Sequence, residues 1–166
     1  MKSVLLVITI FASGFGIGQL KVTVSSKDFI IASGNWMGKL TYLDYSSGKP
    51  FIMPANVMIN LPSERKNEVV LALVYPQEPN ANANDTLFIS EDGTYISGAK
   101  ITSKQKLTDG SLQLITDKDG TDGNDHKKAV LRHIYTIGKN NFSNRKQVKF
   151  EGTDQWILRN EYVFSR

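Results

Sequence analysis

Along most of this chain apolar and polar side chains alternate with a period of two, the pattern of strands that show one face to a core and one to water. Phe51, Met53, Ala55, Val57, Ile59 and Leu61 take every second position of one segment, with Asn56 and Asn60 among the residues between them. Val69 to Tyr75 (VVLALVY) is apolar on both faces and predicts a central or outwardly covered strand. Further strands are predicted over 86–90, 94–97, 99–107, 111–117, 128–137, 142–150 and 154–164. Turn signals separate them at Ser47-Gly48, Asp92-Gly93, Asp109-Gly110, the Asp/Gly cluster 117–125, 138–141 and Glu151-Gly152. Asp-Gly between alternating residues favours the positive φ angles of tight hairpin turns. The one helical segment predicted is a short turn over 26–32, with Ser26 as a cap and Phe29, Ile30 and Ile31 as its apolar part.

Consecutive hairpins without repeats or linkers describe an all-β, antiparallel, up-and-down meander of about 8–10 strands. A two-layer sandwich also accommodates the pattern, but a meander closes more naturally into a β-barrel, which removes the exposed sheet edges. The loop 76–85 (PQEPNANAND) is the most flexible-looking connection.

The first residues follow another logic. Lys2 precedes an apolar run from Val4 to Ala12, and small residues follow in SGFGIGQ. That layout predicts a signal peptide over 1–18, with Gly16 and Gly18 at the −3 and −1 positions and Gln19 as the mature N-terminus. The run is too short to span a bilayer as a helix. A buried N-terminal strand or a retained anchor is the alternative. The expectation is one exported domain over 19–166, periplasmic or secreted, with no membrane span.

Composition narrows the function classes. The chain has 20 Lys and Arg against 16 Asp and Glu, a formal charge of +4, without the clustering a nucleic-acid surface needs. Lys100, Lys104 and Lys106 are spaced as a solvated strand face. With no Cys there is neither a disulfide nor a thiolate metal site, so stability rests on the core.

Gly34-Asn35-Trp36 opens the first strand directly after the helical turn, and Trp36, Gly38, Leu40 and Tyr42 share one face. This resembles the calycin superfamily, the lipocalins and fatty-acid-binding-type barrels, in which a Gly-x-Trp stands at this point. A basic residue from the last strand packs over that Trp. The resemblance implies that Gly34, Trp36 and Arg159, in QWILRNEYVF, close the barrel. It also implies an interior that holds a small apolar or amphipathic ligand. Two family features are missing: SSGKP leaves no room for the two helices of fatty-acid-binding proteins, and the lipocalin disulfides are absent.

Ligand-facing candidates are Leu40 and Tyr42 further along the Trp36 face, then Arg132, Tyr135, Asn160 and Tyr162. Arg132 shares a face with Val130, Ile134 and Thr136. Facing inward it would need a carboxylate or a ligand, and facing outward it is a surface Arg. Asn160 shares a face with Trp156, Leu158, Tyr162 and Phe164. The tyrosines combine apolar rings with hydroxyls suited to a small-molecule cavity.

Other chemistry finds little footing. Asp117, Asp119, Asp122 and Asp125 sit in a Gly-containing segment, but Thr121 and Gly123 break the EF-hand register, leaving a solvated hairpin loop as the expectation. His126 and His133 are the two imidazoles, too few for a zinc triad. Haem ligation by one His is the alternative to a structural or surface role. There is no Cys nucleophile and no Gly-x-Ser-x-Gly elbow, and the carboxylates fall almost wholly in turns, so neither an enzyme nor a cofactor is expected. The rival to ligand carriage is a module whose loops 76–85 and 117–126 contact a protein or glycan.

Overall fold

The computed structural model describes residues 21–166, so the expected leader and Gln19 lie outside the described residues. The alternating segments form ten strands: β1 (Gly34–Asp44), β2 (Lys49–Asn60), β3 (Glu68–Val74), β4 (Ala83–Phe88), β5 (Tyr95–Ile96), β6 (Ala99–Lys106), β7 (Leu112–Asp122), β8 (Lys127–Ile137), β9 (Asn141–Phe150) and β10 (Ile157–Ser165). They pair in the order β4-β3-β2-β1-β10-β9-β8-β7-β6-β5. Every hydrogen-bonded pair is antiparallel, and β1 joins β10, so the meander curls into a nearly closed barrel. The remaining seam lies between β4 and the β5–β6 hairpin. There the Ile89–Ile96 bridge and the Ser97 N–H to Phe88 carbonyl bond of 2.7 Å stand in for a ladder.

The predicted helical turn is a 3-10 helix, Ser26–Ala32, preceded by Ser25, whose N–H donates to Asp28 Oδ2 at 2.8 Å. The helix plugs one end of the barrel with Phe29 and Ala32 fully buried. Trp36 meets it directly, its Nε1–H donating to the Ala32 carbonyl at 2.7 Å. Ile59, Val69, Ile96, Leu114, Ile137 and Phe142 complete this apolar end. Gly38 is required here, because a Cβ at that position would meet the Val163 carbonyl and the Phe164 ring.

The basic residue over Trp36 is not the expected one. Arg166 stacks on the indole at 4.1 Å and donates to the carbonyls of Ser33, Ile31 and Lys139. Arg159 lies at the opposite end, over the Tyr45 ring at 4.3 Å and bonded to the Leu43 carbonyl. The antiparallel β1–β10 register sets both positions: it runs from Met37 opposite Ser165 to Tyr42 opposite Asn160, which leaves Arg166 beside Trp36 and Arg159 beside Leu43. A β-bulge also lies between Leu158 and Asn160. One extra residue shifts the register, so Ile157 faces in, Leu158 faces out, and Asn160, Tyr162 and Phe164 face in again. The predicted common face of Trp156, Leu158 and Asn160 is therefore split.

A second bulge lies between Ile101 and Ser103, and beyond it Lys104 reaches Asp28 at 2.8 Å and the Thr23 carbonyl. Lys104 is exposed, as are Lys100 and Lys106, in keeping with the expected solvated face. The Asp-rich segment is also more ordered than a loop: β7 runs to Asp122, and its turn to β8 spans 123–126.

Trp36→Ala is expected to lower the unfolding free energy by about 3–5 kcal/mol, read by urea titration. Gly38→Ala is expected to destabilise as well, because the clash is with backbone and cannot relax by a rotamer change.

Candidate functional site

Between the plugged end and the open end the barrel interior changes character. β8 places Ala129, Leu131, His133 and Tyr135 on its inward register, opposite Gly120, Lys118, Thr116 and Leu114 of β7. β9 sets Asn144 beside Tyr135. Across the seam, β4 contributes Asp85 and Leu87. Of these, Thr116, Lys118, Leu131, His133, Tyr135, Asn144, Asp85 and Leu87, together with Ile96, Ser97 and Ala99, line a cavity of about 260 Å³ that is partly open to solvent. Its walls are apolar at Leu87, Ile96, Ala99 and Leu131 and polar at Thr116, His133, Tyr135 and Asn144, with Asp85 and Lys118 at the seam.

Burial sets the chemistry of these groups. His133 stacks on Tyr135, ring centroids 5.9 Å apart, and its Nδ1 lies 3.0 Å from Asn144 Oδ1. Burial holds the imidazole below its ordinary value; Asn144 and the Asp85 carboxylate oppose the shift, and the Lys146 ammonium adds to it. The ring is thus neutral near pH 7. An amide oxygen only accepts, so Nδ1 carries the proton and Nε2 is an acceptor. Burial, then the Asp85 charge, pushes the Tyr135 phenol up. Thr116 is 1 % exposed and its hydroxyl has no hydrogen-bond partner.

Toward the open end the interior is ionic. Asp122 projects from the end of β7 and accepts from Lys146, with Arg159 Nε at 3.3 Å. Burial alone would raise the Asp122 carboxyl, but Lys146 and the Gly123 N–H outweigh it and hold the group below its ordinary value. Burial, then the Asp122 charge, pushes the Tyr45 hydroxyl up to about 12.

The six residues expected to face a ligand do not form one cluster. Tyr135 lines the cavity. Tyr162 faces inward and shares its hydroxyl with Tyr75 at 2.7 Å. Leu40 is buried core, and Tyr42 packs on Phe51 at 5.3 Å. Asn160 is half-buried, opposite Lys146 and Tyr42. Arg132 is not an interior residue. It lies on the outer face, in a two-bond pair with Asp117 at 2.8 Å and beneath Trp156 at 4.1 Å. The opposite parity of β8 supplies the cavity, so the missed residues are Thr116, His133, Asn144, Asp85 and Lys118. Their signal was available only through Tyr135, since His133 shares its face two positions earlier.

A wider groove of about 590 Å³ borders Lys21, Asp92 and Tyr95, but the exposed Lys21–Asp92 ion pair spans its polar groups. Among the described residues, no three His, Cys, Asp or Glu side chains gather in a metal-holding arrangement, and no helix is long and apolar enough to cross a membrane.

Fold and site define a ten-stranded antiparallel meander barrel with a small interior cavity of mixed lining. No family model matches the sequence, and no curated protein matches it. Among solved structures the chain is similar to the crystal structure of Rv2717c from M. tuberculosis, at 12% identity and a TM-score of 0.48, with 85% of this chain and 96% of that chain covered.

His133 makes stability depend on pH. Its folded value lies below that of an unfolded imidazole near 6.5, so the unfolded chain binds the proton more readily. The contribution is present above that value and is lost as pH falls below it. Thermal midpoints are expected to drop between about pH 7 and 5, and His133→Gln to flatten that part of the profile. The further loss at lower pH, linked to Asp122, is expected to remain.

Proposed function

We propose that this protein is an exported, calycin-type β-barrel that carries one small amphipathic molecule in its interior, without catalysis. The observation that carries the reading is the cavity itself: apolar walls and convergent neutral polar groups inside a barrel, the usual lining of a small-molecule site. Trp36 under a basic residue at the plugged end supports the calycin assignment, with Arg166 in the position expected of Arg159.

The cavity volume sharpens the ligand class. At about 260 Å³ it falls just under the range of roughly 300–1,000 Å³ typical of drug-sized sites. Aromatic and aliphatic side chains of the barrel fill the rest of the interior. A single ring or short chain suits this space, whereas an extended fatty acid does not.

Ligand-observed NMR with a panel of single-ring and short-chain compounds is expected to detect binding to the wild-type protein. Ala99→Leu, which fills the cavity from β6, is expected to remove it while the circular-dichroism spectrum is unchanged. No binding from the whole panel at millimolar concentration would sink the proposal. The exported form is expected to begin at Gln19 by N-terminal mass analysis; a chain that retains residues 1–18 argues against export by cleavage.

A further inference from the structure

We infer that Thr116 anchors the bound molecule and that the ligand is a single-ring compound, or one of similar size, bearing a hydroxyl group. The inference rests on the proposed cavity function and specifies its chemistry. Thr116 sits mid-strand on β7, 1 % exposed; the residue lines the cavity, and its buried hydroxyl has no partner. A buried hydroxyl left unsatisfied is costly, and native structures rarely keep one without a reason.

The surroundings select the complementary group. Thr116 pairs across the ladder with His133, whose Nδ1 is committed to Asn144 and whose Nε2 is left as an acceptor. Tyr135, on the same face as His133, adds a phenolic hydroxyl to the lining. These groups are all neutral, and the charges of Asp85 and Lys118 stand at the seam. A carboxylate or ammonium set against Thr116 would exchange its hydration mainly for neutral groups, because Lys146 is committed to Asp122 and Asp85 and Lys118 stand at the seam. A hydroxyl both donates and accepts. It therefore satisfies the threonine and the imidazole acceptor together. Leu87, Ile96 and Leu131 leave an apolar wall for the ring. Cavities of about 150 Å³ already admit benzene, so a single ring fits here with its substituent.

The probes are phenol and toluene, which differ by hydroxyl against methyl, titrated by calorimetry into the purified protein. Wild type is expected to bind phenol about ten-fold more tightly than toluene, the size of one good hydrogen bond. Thr116→Val is expected to bring the two within about two-fold by weakening phenol alone, and Thr116→Ser to retain the preference. The ligand-free Thr116→Val protein is expected to melt no lower than wild type, because the lost hydroxyl has no partner to lose. A lower melting temperature would show that ordered water already satisfies Thr116, and would overturn the inference. Equal affinities in wild type, or a preference that survives Thr116→Val, would overturn the anchoring role and leave the cavity function standing. Binding of neither probe would overturn the inference, and the wider panel then decides the cavity function.

Discussion

Everything in this fold follows from the pairing of β1 with β10. Met37 to Tyr42 lie against Ser165 to Asn160 along an unbroken antiparallel register, which turns a ten-stranded meander into a barrel. Without that ladder, the inward faces of the strands would line an open sheet. Gly38 makes the approach possible, since the Val163 backbone and the Phe164 ring occupy the space of a side chain. Phe164 in turn stacks on Phe142 and Tyr162, and Phe142 touches Trp36. The closure is thus continuous with the apolar core.

The two ends of the barrel are sealed by different physics. At one end the 3-10 helix, Trp36 and Phe29 exclude water by apolar packing, and Arg166 covers the indole while bonding three carbonyls. At the other, Asp122 draws Lys146 and Arg159 together, with Tyr45 beneath the guanidinium. Between them lies a zone of neutral polar groups, Thr116, His133, Tyr135 and Asn144, too polar for plain core and too enclosed for surface. A region of that kind is stable only if its hydrogen bonds are met, by itself or by a guest.

Alternation and turn chemistry made the architecture legible in the sequence. Period-two segments and Asp-Gly turns gave strand number, hairpin order and the helical plug, and Gly34-Asn35-Trp36 pointed to the plugged end. What could not be read is parity. A bulge adds one residue and exchanges inside for outside, which set Trp156 outside beside Arg132. The pairing register of β1 with β10 was equally hidden, and it put Arg159 at the Asp122 network rather than over Trp36. β8 is apolar on both faces, so nothing local distinguished the Arg132 side from the His133 side. The Asp-rich segment read as a loop because Gly and Asp are turn formers. The long ladder with β8 overrode that preference and extended β7 to Asp122. Thr116 carried no signal of its own, since an alternating strand with a threonine is ordinary until its neighbours on three other strands are known.

The seam between β4 and β5 has a kinetic meaning. β1 and β10 come from opposite ends of the described chain, so closing their ladder spends most of the loop entropy of folding and yields a long cooperative interface. The seam is spanned by a single bridge and a few bonds, and β4 has a strand ladder on one side only. Local opening of lowest free energy therefore belongs at the seam rather than at the β1–β10 joint. That is also where Asp85, Ser97 and Lys118 border the cavity. The same few bonds then govern how quickly β4 amides trade protons with water and how long a guest remains inside.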